Sequence, residues 1–137
     1  MSLENILTQV ATITGQIEGI KKAHNLTPES IAELPNIICF PASGDIERAP
    51  NLRITKHKIK MQLRVSRANL PSAEKEARPF LAKVLDKFDQ NVKLKGSCEN
   101  SAITHYEYGA MDFAGSPYLG WSFDLEAIEK ESVDFNA

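Results

Sequence analysis

The sequence has little of what marks a secreted, membrane-spanning or disulfide-rich protein. It contains two cysteines, Cys39 and Cys98, which are too few for a disulfide scaffold, so we expect both to be reduced thiols. No apolar run approaches the ~20 residues that span a bilayer. The first residues, Met1–Asn5, have neither the basic start nor the apolar block of a signal peptide. These absences predict a cytoplasmic protein with no membrane partner.

The sequence also lacks the residue patterns of catalysis and of cofactor or metal binding. His24, His57 and His105 lie far apart, and none has a carboxylate or cysteine at the spacing of a metal site. The glycines form no phosphate-binding loop, and no nucleophile is followed by a base that could activate it. We therefore expect no catalytic residue, no metal and no cofactor, and a protein that is not an enzyme.

The composition is that of an ordinary globular domain, with 42% apolar and 25% charged residues. A length of 137 residues fits one domain spanning residues 1–137. Apolar residues at three- and four-residue steps predict an amphipathic helix over residues 3–22. A proline-initiated helix over 27–34 and a short buried strand over 36–40 are expected to follow.

The middle of the chain shows the clearest pattern. Residues 54–65 alternate between apolar and basic side chains, which predicts a long strand with its odd positions buried. The segment before it, residues 41–52, has the proline, glycine and asparagine content of a long interaction loop. After it, an apolar stripe between Leu70 and Phe88 predicts a helix that Pro79 kinks or splits.

The last third predicts a hairpin. Residues 103–108 and 118–128 form its expected strands, residues 109–117 a glycine-rich turn, and residues 129–137 a loose acidic tail. Together these elements predict an α+β fold in which a mixed, mainly antiparallel sheet is flanked by an N-terminal helix and a central helix.

Charge is distributed unevenly along the chain, although the net charge is only −2. Residues 1–50 carry three basic and six acidic residues, residues 51–95 carry twelve basic and four acidic, and residues 96–137 carry one basic and eight acidic. The basic and acidic segments either neutralise each other within one subunit or face each other between neighbouring copies. The second alternative gives a candidate subunit interface made of Lys56, Lys58, Lys60, Arg64, Asp124, Glu126 and Glu129.

The basic strand also raises a different possibility, a small module that associates with nucleic acid. Lys56, Lys58, Lys60 and Arg64 would attract phosphate groups. Proteins that bind single strands interleave such charges with aromatic rings on which bases stack, and this face has none. The strand therefore predicts no specific nucleic-acid partner, and a nucleic-acid role is the alternative to a structural one.

The order of the elements resembles that of a known family. The helix, the segment Glu33-Leu34-Pro35, the alternating strand, the sequence Asn91-Val92-Lys93-Leu94-Lys95-Gly96 and a tyrosine- and glycine-containing hairpin follow one another over nearly the whole chain. This pattern is similar to that of the tail terminator and tail-completion proteins, the head–tail joining proteins of long-tailed phages and prophages.

The resemblance implies a structural protein of virion assembly. Such proteins form homo-oligomeric rings, usually of six subunits, which cap the tail tube and present a surface to the head connector. The implied partners are copies of the chain itself, tail-tube proteins and connector proteins. The implied location is the bacterial cytoplasm during assembly and the virion tail afterwards. The family has no catalytic residues to transfer, and DNA passage places the basic strand away from the ring lumen, near the subunit contact.

Overall fold

One five-stranded sheet organises the structure, a computed structural model that describes residues 2–31 and 33–135. Its strands are β1 (Lys22–His24), β2 (Asn36–Ala49), β3 (Leu52–Ser66), β4 (Asn100–Phe113) and β5 (Ser116–Ser132), and its helices are α1 (Leu3–Gly15), α2 (Leu70–Ala77) and α3 (Phe80–Asp89). The spatial order is β1-β2-β3-β5-β4, with β1 parallel to β2 and the other neighbours antiparallel. The predicted α+β class is confirmed.

The N-terminal helix is present but shorter than predicted. Ser2 caps it, since its Oγ accepts a hydrogen bond from the Asn5 N–H, and its apolar stripe is buried against the sheet. The prediction of helix up to residue 22 is wrong, because α1 ends at Gly15 and Gly19 takes a φ of 96° that no helix allows. The chain thereby turns back into β1, which the sequence pattern did not predict.

The predicted second helix over 27–34 is absent from the described residues of that segment. A helix of eight residues gains stability mainly by burying an apolar face. Here Ile31 and Leu34 are only half-buried, and neither belongs to the apolar core of the described residues. The segment instead forms an irregular connection, fixed at its end by the Lys21 N–H, which donates to the Pro35 carbonyl oxygen.

The predicted break in the central helix is confirmed. Helix α2 ends at Ala77 and α3 begins at Phe80, with Pro79 between them. Proline has no N–H to donate to the preceding turn and its ring crowds the carbonyl there. Both helices still bury their apolar residues in the same core.

The predicted loop over 41–52 is wrong, because residues 41–49 continue β2 and pair with β3. Every side chain from residue 41 to residue 50 is exposed, so the segment carries no apolar alternation that would identify a strand. Pairing with β3 determines its structure instead. Pro50 and Asn51 form the turn of this hairpin, with Asn51 at a φ of 59°, which asparagine tolerates.

The register of β3 is as predicted in its second half. Ile59, Met61, Leu63 and Val65 are fully buried under the helices. The face that they form, together with the odd-numbered residues of β5, is called here the helix-side face. The opposite face, built from the even-numbered residues of both strands, is called the outer face. Arg64 lies on the outer face and yet is buried, contrary to the expectation of an outward basic position.

The hairpin of β4 and β5 is tighter and longer than predicted. The glycine-rich turn over 109–117 is wrong: the strands pair up to Phe113 and Ser116, and only Ala114 and Gly115 lie between them. Their φ values of 51° and 82° are those of a two-residue hairpin turn that matches the strand twist. The expected loose tail is also wrong over residues 129–132, which pair with β3 and belong to β5. Residues 136–137 of that predicted tail lie outside the described residues.

The apolar core lies under only part of the sheet. Its members on β3 begin at Ile59 and its members on β5 end at Ala127. Residues 43–58 and 128–132 contribute none, although β3 and β5 stay paired from Leu52 with Ser132 onward. This three-stranded extension beyond the core is called here the arm.

Candidate subunit interface

The basic and acidic segments meet inside one chain. Lys60 Nζ lies 2.7 Å from Asp124 Oδ1, and Lys58 is the register partner of Glu126. On the arm, Arg53 Nη2 donates to Glu131 Oε2 at 2.6 Å. These contacts follow from the antiparallel pairing of β3 with β5, which sets the two charged strands side by side. The structure therefore brings the basic and acidic segments together within one subunit.

This pairing leaves fewer of these charges available for a contact between neighbouring copies, which stays a prediction. Lys60 and Asp124 already contact each other, and their side chains are only 29% and 15% exposed. Arg64 and Glu129 are 4% and 5% exposed, so neither offers a surface charge. Of the seven residues in the charge-based interface, Lys56 and Lys58 are exposed, and Lys60, Asp124 and Glu126 are partly buried.

Glu129 forms a pair with His57 on the helix-side face of the arm. Its Oε1 lies 2.9 Å from His57 Nε2, and both side chains are largely buried. Burial by itself would raise the pKa of Glu129, but hydrogen bonding, chiefly with His57, outweighs it and holds this pKa below its ordinary value. The pair therefore stabilises the junction between β3 and β5 beyond the apolar core.

The exposed basic residues do not form a continuous basic face. Lys56 lies opposite Asp45 on β2, and Lys58 lies opposite Glu126 on β5. The outer face of the arm therefore has mixed charge, with Lys56 and Lys58 as its exposed lysines on β3. The nucleic-acid alternative stays a prediction. Of the four basic side chains proposed to attract phosphate groups, two, Lys56 and Lys58, are exposed.

Two strand edges lie unpaired in the part of the chain that the structure describes. Strand β4 ends the sheet on one side over its whole length, Asn100–Phe113. On the other side β1 pairs with β2 only up to Ile38, so the rest of β2 has β3 as its neighbour on one side and no strand on the other. Unpaired edges expose backbone N–H and C=O groups that can pair with another chain. Sequence reasoning missed both edges, because it predicted a strand only over 103–108 and a loop over 41–52.

An aromatic surface lies beside the β4 edge. Tyr106 and Tyr108 are 48% and 39% exposed, and their rings pack against Trp121, at centroid distances of 5.5 and 4.5 Å. Trp121 is itself fixed, since its Nε1–H donates to the Ala77 carbonyl oxygen at 2.8 Å. The edge thus combines unpaired backbone groups with exposed aromatic rings on a rigid support.

The two cysteines are enclosed in the fold, whereas the His105 side chain is 58% exposed. Both cysteines are free and buried; burial raises the pKa of Cys39 to about 11 and also raises the pKa of Cys98. Within residues 2–31 and 33–135, no three His, Cys, Asp or Glu side chains converge as metal ligands would. Over the same ranges, no helix is long and apolar enough to cross a bilayer.

Comparisons with known proteins give this chain no relative from which a role could be transferred. No model of a protein family matches its sequence, and no curated protein matches it. A functional interpretation therefore depends on the two free edges, the aromatic surface and the pattern of elements along the chain.

Proposed function

We propose that the protein is a structural, ring-forming subunit of a phage or prophage tail. In this role it is a tail terminator. Its copies assemble head to tail into a ring of six, as in the proteins that it resembles, and the ring caps the tail tube and contacts the head connector. It assembles in the bacterial cytoplasm and ends in the virion tail. The support is the resemblance in element order, together with the geometry of the sheet.

The observation that carries the proposal is the presence of unpaired edges on opposite sides of one sheet. Strand β4 is free on one side, and β2 beyond Ile38 is free on the other. Contact between the β4 edge of one copy and the β2 edge of the next uses two different patches, which makes it heterologous. Heterologous contacts generate a ring when the rotation between copies closes.

The aromatic surface supplies the apolar centre that such a contact requires. Tyr106 and Tyr108 would be desolvated between copies, and rings of this kind dominate the energetics of interfaces. Lys56 and Lys58 would lie toward the rim, where exposed charge pairs contribute ~0–1 kcal/mol each. Association in this form depends on the β4 edge far more than on the basic strand.

The test is the solution mass of the protein by light scattering at rising concentration, with negative-stain electron microscopy of any assembly. The variant Tyr106→Lys with Tyr108→Lys places charges on the β4 edge, and it should remain folded but lose association. The matched control, Lys56→Glu with Lys58→Glu, changes two exposed residues on the arm and should retain association. Equal loss in both variants, or open filaments in place of rings, would contradict the proposed role.

A further inference from the structure

An open notch of about 360 Å³ lies where the arm meets the beginning of α1. Its lining comes from α1, β2 and β3 and consists of Leu3, Pro41, Ala42, Ser43, Gly44, Ile46, Thr55 and His57. Gly44 has no side chain to fill the space, and Ile46 is 54% exposed. The notch therefore lies open beside the stretch of β2 that β1 leaves unpaired.

The chemistry of the notch is that of a pocket for an aromatic ring with a polar tip. Leu3, Pro41 and Ile46 give it apolar walls, whereas Thr55 and His57 add polar groups. A tyrosine has an apolar ring and a hydroxyl group that needs a hydrogen-bond partner when it is buried. The notch therefore suits a tyrosine better than a purely aliphatic side chain.

The notch and the exposed tyrosines lie on the same face of the sheet, at its two opposite edges. Thr55 and His57 are odd-numbered residues of β3, which places the notch on the helix-side face. Tyr106 and Tyr108 lie on the helix-side face of β4, because their rings pack against Trp121 of β5. One edge thus presents two half-exposed rings, and the other presents an opening on the matching side.

The directions of the strands allow these two surfaces to meet in one way. All pairs from β2 to β4 across the sheet are antiparallel, so β4 runs opposite to β2. A second copy that adds its β2 beside β4, with its helices on the same face, therefore pairs antiparallel. A parallel contact between these edges would turn the helices of the second copy to the other face and take its notch away from the tyrosines.

Strand pairing by itself gives too small a contact. The free stretch Pro41–Ala49 is about 30 Å long and one sheet layer is about 10 Å thick, so pairing covers about 600 Å² in total. A specific interface requires at least about 1,000 Å². Burying the exposed parts of Tyr106 and Tyr108 against the notch adds roughly 200 Å² on each copy. The contact reaches the required area when the rings enter the notch.

We propose that the occupant of the notch is a second copy of this chain, whose Tyr106 and Tyr108 enter it as its β4 pairs antiparallel with β2. This inference rests on the proposed function, since it specifies the contact between copies that ring formation requires. The rings would pack against Leu3 and Ile46 and cover Gly44, and an aromatic ring of this kind compensates for the missing side chain of an edge glycine. The notch thereby determines where the β4 edge binds.

The first test is a charge in the notch. Ile46→Lys changes a residue that is 54% exposed, so it should fold, and it should raise the apparent Kd of association at least about ten-fold. Leu26→Lys is the matched control, because it adds the same charge at an apolar residue that is 79% exposed and lies outside the notch. Sedimentation velocity measures both. Association of Ile46→Lys like that of the wild type, or an equal loss in Leu26→Lys, would overturn the inference.

A mixing experiment separates this inference from the proposed function. The variant Ile46→Lys keeps its tyrosines, and the variant Tyr106→Lys with Tyr108→Lys keeps its notch, so an equimolar mixture should form one-to-one dimers and nothing larger. A mixture that stays monomeric while the wild type assembles would sink the notch contact and leave the ring role intact. Dimers in the mixture together with open filaments of the wild type would do the reverse. A wild type that stays monomeric at every concentration would overturn both.

Discussion

Trp121 Nε1 donates a hydrogen bond of 2.8 Å to the carbonyl oxygen of Ala77, the last residue of α2. In an unbroken helix this oxygen would accept the Leu81 N–H, four residues further along. Here the Leu81 N–H donates to the Arg78 carbonyl oxygen instead, because Pro79 interrupts the helix. The break between α2 and α3 therefore leaves a backbone acceptor for the sheet to bind, and Trp121 fixes the helical layer to β5.

Replacement of Trp121 by phenylalanine should weaken the fold by about 1–3 kcal/mol, because the buried Ala77 carbonyl loses its partner. Urea unfolding measures the change. Tyr106→Phe is the matched control, since Tyr106 is half exposed and packs against the same indole ring. Equal losses in both variants would show that the hydrogen bond contributes nothing measurable.

The two faces of β3 should respond in opposite ways to a negative charge. Leu63→Asp buries an unpaired carboxylate in the core and should cost about 3 kcal/mol or more. Lys58→Asp changes an exposed residue opposite Glu126 and should cost at most about 1 kcal/mol. Thermal unfolding of both variants gives the comparison, and similar melting temperatures would mean that the register of β3 is wrong.

The pair of His57 and Glu129 should make stability depend on acidity. The Glu129 pKa lies below its ordinary 4.5 in the folded protein, so the unfolded chain takes up the proton first as the pH falls. The stabilisation is complete above about pH 5 and is lost progressively below 4.5. The difference in unfolding free energy between the wild type and Glu129→Gln should therefore shrink on acidification.

Chemical denaturation at a series of pH values measures this difference. Glu126→Gln is the matched control, because it also removes one negative charge from β5 but lies on the outer face. A gap between the wild type and Glu129→Gln that stays constant below pH 4.5 would contradict the assignment.

The turn between β4 and β5 contains a residue that can be improved. Ala114 has a φ of 51°, a conformation that costs an L-residue roughly 1–2 kcal/mol, whereas Gly115 adopts a φ of 82° freely. Ala114→Gly should raise the unfolding free energy by about 0.5–1 kcal/mol, and Gly115→Ala should lower it by a similar amount. Thermal unfolding checks both, and destabilisation by Ala114→Gly would show that the turn has another geometry.

Binding to double-stranded DNA should be weak or undetectable near ~150 mM salt. The net charge is −2, and acidic residues on β2 and β5 lie opposite the two exposed lysines of β3. Fluorescence anisotropy with a labelled duplex tests this. Sub-micromolar affinity that falls steeply with salt would instead favour the nucleic-acid alternative.

The parts of the fold that sequence reasoning predicted are those where local pattern and burial agree. Leu63 and its odd-numbered neighbours alternate with polar residues. Proline interrupts a helix wherever it occurs in the helix interior, as Pro79 does here. The arm has no such signal, because strands exposed on both faces carry no apolar period. Residues 41–49 and 129–132 are strands only because β3 lies beside each of them.

The candidate interface shows a related limit. Charge counts predicted that the basic and acidic segments contact each other. They could not tell whether this contact lies within one chain or between two copies, because that depends on which strand pairs with β3. The Arg64 guanidinium lies under the ring of Phe113 on β4, and Glu129 is paired with His57 on β3. Such contacts arise from long-range pairing, which composition and periodicity do not encode.

The restriction of the apolar core to one part of the sheet divides β3 into two thermodynamic units. Amides near Ile59–Val65 should exchange their hydrogens only when the whole molecule unfolds, whereas those of the arm can exchange by local opening. A segment that opens alone can adjust its twist to a neighbouring molecule without weakening the core. One continuous strand thus has a half that opens only with the whole fold and a half that can open by itself.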